Sequence, residues 1–213
     1  MGHPRQLTGF QIELAGIFFD LDEAAGYFVA GGAALLASDL IARPTEDLDL
    51  FTAKPTVEVT RAKDAFVREA KGRGCDVRIV QDGATFCRMI VARAGEETVV
   101  DLAIDSPPQG GPTITVLGPT LAPIELGGRK LLALFGRAEA RDFADVYVLV
   151  QRFGKQALLE QARALDAGFD LSVLAQMLRT ITRFEDDEIP LSKKELPSAF
   201  EFFRAWASEL STD

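Results

Sequence analysis

The stretch GGAALLASDLIARPTEDLDLF, residues 31–51, decides how the rest of the chain is read. Two glycines open a short apolar segment, and Asp47 and Asp49 interrupt what otherwise reads as a strand, Leu48 to Phe51. Glycine pairs are poor helix formers and carboxylates are poor strand formers. Sequences break such local rules mainly where function requires it. Residues i and i+2 of a strand share a face, so Asp47 and Asp49 stand side by side about 7 Å apart, while Leu48 and Leu50 point the other way, into a core. Carboxylates this close raise one pKa or recruit a cation. Magnesium suits the pair, being a hard ion that accepts one or two carboxylates plus phosphate oxygens. Taken alone, the Asp-x-Asp pattern fits a solvated acidic edge strand equally well.

Three further pieces bear on that choice. Tyr27 to Ala30 reads as a strand, and Gly31-Gly32 then opens a helix running to about Ile41. A strand, a glycine pair and a helix N-terminus let the backbone approach a phosphate closely, although a plain tight turn has the same signature. In TVVDLAID, residues 98–105, Val100, Leu102 and Ile104 share one strand face and Val99, Asp101 and Ala103 the other, so Asp101 is a lone acid in an apolar strand. If that strand neighbours Leu48 to Phe51, Asp101 joins Asp47 and Asp49, and three carboxylates from two strands can hold two magnesium ions. Asp105 lies at the edge of a loop and reads as a cap, but the choice of third acid between Asp101 and Asp105 stays open. In GGRKLLALFGRAEARDFADVYVL, residues 127–149, Lys130 lies on a Leu/Ala-rich helix. Lys130, Arg137 and Arg141 share its face if the helix runs through Gly136, and Asp142 and Asp145 face one way on the next helix. Surface ion pairs are the ordinary fate of such charges.

The remaining pattern is mixed. Helices are expected over residues 8–24 and 57–72, and strands over 76–80, 85–92 and 98–104, with Asp82-Gly83 as a hairpin turn. DSPPQGGP, residues 105–112, is a loop, 113–117 a short strand, and the chain is helical from Pro123 onward. The 213 residues are 47% apolar with a formal charge of −9, which argues against a broad nucleic-acid surface but leaves room for capture of one RNA end. Basic residues gather at Arg61, Lys63, Arg68, Lys71 and Arg73 and again at Arg129, Lys130, Arg137 and Arg141, suggesting a basic rim at the site, with the acidic EDDE of residues 185–188 on a far side. Cys75, Cys87 and the single His3 cannot make a Cys/His zinc site, so chemistry falls to carboxylates, Lys and Arg. No run of about 18 apolar residues and no signal-peptide pattern occurs, so a cytoplasmic protein with no membrane partner is expected.

Jointly, the order strand, GG, helix, Asp-x-Asp strand, later strand Asp resembles the polymerase-β-like nucleotidyltransferase superfamily. The run RKLLALFGRAEARDFADVYVL is similar to one branch of it, the AbiEii/AbiGii-type toxins that include the MenT nucleotidyltransferases. TRFEDDEIPL, residues 182–191, and FEFFRAW, residues 200–206, resemble the helical tail of that branch, and the resemblance spans roughly residues 27–209. It implies an α/β (α+β) fold, a mixed sheet with flanking helices; the pattern along the chain divides near residue 118 into a sheet-bearing core, 1–118, and a helical region, 119–213, expected to complete the active-site cleft. It implies magnesium-dependent transfer of NMP from an NTP to an acceptor hydroxyl, with the 3′ end of tRNA or another RNA as acceptor and an antitoxin protein as partner. By that resemblance Asp47 and Asp49 are the catalytic metal-binding pair and Asp101 is the third metal ligand. Lys130 is the catalytic lysine on the triphosphate, Asp142 is the essential helical acid, and Gly31, Gly32 and Arg141 bind the nucleotide. Ala33 departs from the pattern, because many relatives carry Ser or Thr there, and shifts phosphate contact to backbone N–H groups and Lys130. The alternatives are a small-molecule, aminoglycoside-type nucleotidyltransferase and a non-catalytic nucleotide- or protein-binding module.

Overall fold

A computed structural model describes residues 7–53 and 59–211, leaving His3 and the first two residues of the helix expected over 57–72 outside it. The chain divides into two compact units between Pro123 and Ile124.

The first unit opens with α1 (Gly9–Phe19), started by Thr8. The Thr8 hydroxyl accepts the Gln11 N–H at 3.0 Å and the Gln11 side chain accepts the Thr8 N–H at 2.9 Å, a reciprocal cap. The helix stops at Asp20, short of the expected residue 24, and a single 3-10 turn, Asp22–Ala24, leads to β1 (Tyr27–Ala30). Helix α2 (Gly31–Ala37) is also shorter than expected, because Asp39 takes a left-handed φ of 54° that an α-helix cannot absorb. There follow β2 (Asp47–Thr52), α3 (Val59–Gly72), β3 (Asp76–Asp82), β4 (Phe86–Arg93) and β5 (Glu96–Ile104). The single strand expected over 113–117 is instead a hairpin of β6 (Thr113–Thr115) and β7 (Gly118–Thr120).

The seven strands form one mixed sheet in the order β3-β4-β5-β2-β1-β7-β6. Strand β2 is central, antiparallel to β1 and parallel to β5. Its alternation does what the sequence asks: Leu48 and Leu50 are fully buried, while Asp47 and Asp49 are not. Tyr27, Val29, Met89, Val91, Val100 and Leu102 are also fully buried. Helices α1 and α3 cover the apolar face, where the Phe18 ring meets Tyr27 at 5.0 Å and Phe66 at 5.9 Å. Each fully buried side chain of this kind stabilises the fold by about 1.5–3 kcal/mol. This placement corrects one expectation. Because α3 lies on the apolar face, Arg61, Arg68 and Lys71 stand on the side of the sheet away from Asp47 and Asp49 and form no rim around them. Lys63 is nearly buried and pairs with Asp82 at 2.8 Å.

The second unit is helical: α4 (Pro123–Gly136, its first residue in the preceding unit), α5 (Ala140–Phe153), α6 (Lys155–Leu165), α7 (Leu171–Arg179) and α8 (Leu196–Glu209). An aromatic cluster ties α5 to α8, with Phe143 edge-on to Phe203 at 5.1 Å and Tyr147 to Phe202 at 5.6 Å. At Gly128 a Cβ would lie 2.5 Å from the Gln161 Cβ and 3.2 Å from its carbonyl carbon, so α4 and α6 touch backbone to backbone. Among the described residues no helix is long and apolar enough to cross a membrane.

Candidate active site

The carboxylate face of the sheet is built by register. Asp49 pairs with Ala30 of β1 on one side and with Asp101 of β5 on the other, and Asp101 in turn pairs with Arg88 of β4. Cross-strand partners share a face, so one row reads Ala30, Asp49, Asp101, Arg88, with Asp47 two residues along β2. Asp105 lies four residues beyond Asp101, about 13 Å along the strand. Its carboxylate accepts the Ser106 N–H at 2.7 Å. Of the two candidate third acids, Asp101 is the one beside Asp49.

The glycine pair has a spatial reason. Gly31 adopts φ +63°, and a Cβ there would lie 1.7 Å from Asp49 Oδ2. Only glycine lets that carboxylate pass over the start of α2. At Gly32 a Cβ would lie 2.7 Å from Thr45 Oγ1, and the Thr45 carbonyl accepts the buried Gln11 amide at 2.9 Å. The segment entering β2 is thus held from α1 and α2 together. Ala33 is fully buried.

Asp101 is engaged from the neighbouring strand β4. Arg88 Nε donates to Asp101 Oδ1 at 2.9 Å and Arg88 Nη2 to Oδ2 at 2.6 Å, so one guanidinium fork takes both oxygens. The hydrogen bond to Asp101, and the charges of Asp101, Asp47 and Asp49, outweigh desolvation and hold the Arg88 pKa above its usual value. Among the described residues no group of three ligands is arranged to hold a metal ion. Asp47 and Asp49, two hard carboxylates on one strand face, are the kind of ligand that a magnesium ion accepts beside phosphate oxygens and water.

The second unit carries its own charge cluster. Lys130 is nearly buried, with Nζ 3.3 Å from Asp142 Oδ1 and 3.0 Å from Asp145 Oδ2, both acids being fully buried. Helix α4 ends at Gly136 instead of running on, and the turn brings Arg137 back onto Asp142, Nε to Oδ2 at 3.0 Å and Nη2 to Oδ1 at 3.2 Å. Burial pushes the Asp142 carboxyl up, but the Arg137 hydrogen bond, the Lys130 and Arg137 charges and the Glu139 N–H outweigh it and hold it below the usual range. The Arg141 Nε pairs with Glu139 at 2.9 Å. The shared face expected for Lys130, Arg137 and Arg141 therefore breaks at the end of α4.

Sequence reasoning passed over Arg88 and Arg183. Arg88 was visible as a lone cation in the apolar run TFCRMIV, residues 85–91. Arg183 had no signal: its Nη2 donates to the carbonyls of Ala138 and Arg137, fixing the turn in which Ala138 has φ +48°.

A family model described as the nucleotidyl transferase AbiEii toxin of type IV toxin–antitoxin systems matches residues 14–209. No curated protein matches the chain. Among solved structures, a putative nucleotidyltransferase from H. pylori is 17% identical, with 97% of this chain and 98% of that one covered at a TM-score of 0.54. JHP933 from Helicobacter pylori is 19% identical, with 96% and 93% covered at 0.52. MenT4, a nucleotidyltransferase toxin from Mycobacterium tuberculosis H37Rv, is 15% identical, with 95% and 90% covered at 0.59. At these identities the structural likeness is one of fold. The family match runs from α1 to the end of α8 and so takes in both units: the chain belongs to the AbiEii family of nucleotidyl transferase toxins and is a nucleotidyltransferase.

Proposed function

We propose that this nucleotidyltransferase moves NMP from an NTP to the 3′ hydroxyl of an RNA, tRNA being the first candidate, as the cytoplasmic toxin partner of a protein antitoxin. The observation that carries the reading is the Asp47–Asp49 pair, set on one face of the central strand, with Gly31 left bare so that the second carboxylate can lie where it does. Asp47 and Asp49 would hold magnesium, which when bound lowers the pKa of the acceptor hydroxyl and offsets charge on the phosphates. Gly31 and Gly32 present backbone N–H groups at the start of α2 for phosphate contact. By the family resemblance Lys130 would contact the triphosphate; within the second unit Asp142 and Asp145 hold its ammonium. Arg137 and Arg141 flank that cluster, and Asp142 orients Lys130 and Arg137 at once.

The test is incubation with each α-labelled NTP, total RNA and magnesium, with a chelator control. Label should enter RNA of tRNA size, depend on the metal, and disappear in the Asp47→Ala protein while its fold is kept. One feature favours a second acceptor class: a chain of charge −9 suits a cationic small molecule better than a polyanion. An aminoglycoside in the same reaction separates the two, since label on the drug with none on RNA would overturn the RNA reading.

A further inference from the structure

Arg88 has no part in the reaction as outlined so far, yet it occupies the end of the row that carries Asp49 and Asp101. Its fork closes on both oxygens of a carboxylate that is only 4% exposed. A planar, bidentate, charge-assisted pair of this kind is among the stronger polar contacts a protein makes, and an arginine in it does not lose its proton. Asp101 is thus committed at both oxygens before any ion arrives, while the Arg88 side chain remains about half exposed, at 47%. A second ion would have to displace the guanidinium from Asp101 and leave that cation facing two metals.

Resting on the metal reading above, we propose that Arg88 stands in place of a second metal ion. It keeps Asp101 out of the ligand set, so that the site binds one divalent cation through Asp47 and Asp49, and it supplies as a fixed charge what a second ion would offer the phosphates. Asp101 is then a positioning residue for Arg88 and not a ligand.

Manganese is the probe, because it accepts the same oxygen ligands as magnesium and is counted directly by electron paramagnetic resonance. Full-length protein is titrated with Mn²⁺ in the presence of a non-hydrolysable NTP analogue. The wild type should bind one ion per chain. Asp101→Asn, close to isosteric, should still bind one. Arg88→Ala, which frees both Asp101 oxygens, should bind two. A wild-type count of two that falls to one in Asp101→Asn makes Asp101 a ligand and overturns the proposal, as does a count that stays at one in Arg88→Ala. If circular dichroism shows that Asp101→Asn is unfolded, the Arg88→Ala count decides alone, since Arg88 is exposed enough to be removed without opening a cavity. No bound ion in the wild type would instead remove the metal reading itself, so the two failures are distinguishable.

Discussion

Gly31→Ala tests the geometry of the site more sharply than removal of a carboxylate does. At φ +63° an alanine pays the left-handed penalty of about 1–2 kcal/mol, offset in part by the about 0.4–1 kcal/mol gained from a stiffer unfolded chain. The backbone cost should be about 1 kcal/mol and displacing Asp49 on the order of 1 kcal/mol more, so the net loss should be about 2 kcal/mol, or roughly 4–8 °C in melting temperature for a chain of this size. The new Cβ would sit 1.7 Å from Asp49 Oδ2, where real contacts stay above 3.0 Å, so the carboxylate must retreat by about 1.3 Å. A displacement of about 1 Å at a reacting centre costs about 10²-fold in rate. The variant should therefore be folded and moderately destabilised, yet slower by about two orders of magnitude in NMP transfer. Urea denaturation and a labelled-NTP assay read the two effects separately. Stability adds a second check. In an Asp49→Ala background the clash is gone, so Gly31→Ala should cost less there, with a coupling on the order of 1 kcal/mol. Near wild-type transfer by Gly31→Ala, or strict additivity in the double-mutant cycle, would refute the claim that Gly31 is bare to make room for Asp49.

The other expectations concern charge. Lys130→Met leaves Asp142 and Asp145 buried without their shared ammonium and should destabilise the protein by about 3–5 kcal/mol, so a loss below about 1 kcal/mol in urea would mean that the lysine is not structural. Asp142 has a folded pKa below its unfolded value of about 3.9, so its contribution is complete above that pH and is lost as pH falls toward the folded value. Asp142→Asn should then show a shallower loss of stability than wild type below about pH 4, and identical slopes in acid melts would count against the Arg137 and Lys130 contacts. Reversing Arg68 and Lys71 to Glu should leave transfer to RNA unchanged at low and moderate salt, with stability altered by no more than about 0.5 kcal/mol, because both residues sit on the α3 side of the sheet. A strong drop in transfer would put the acceptor path on that side after all.

Local pattern was enough to read the strand that carries Asp47 and Asp49, since period-two alternation fixes which side chains share a face whatever the strand is paired with. The same holds for the strand of Asp101 and the helix-rich second half, and for the family, whose motifs lie along the chain in order. Pairing lay beyond it. That β5 runs parallel to β2 with Asp101 opposite Asp49, and that β4 brings Arg88 onto Asp101, are consequences of strand order, which depends on contacts distant in sequence. The layer of α3 is decided in the same way: its apolar stripe says that one face is buried, but not which side of the sheet buries it, and so the basic rim was misplaced. Helix ends were lost to single backbone dihedrals, φ 54° at Asp39 and 48° at Ala138, in residues whose identity does not announce a left-handed turn. The Asp-x-Asp motif is written in the sequence, but the pairing of Arg88 with Asp101 beside it exists only when three strands come side by side, because a guanidinium fork needs both carboxylate oxygens within its reach.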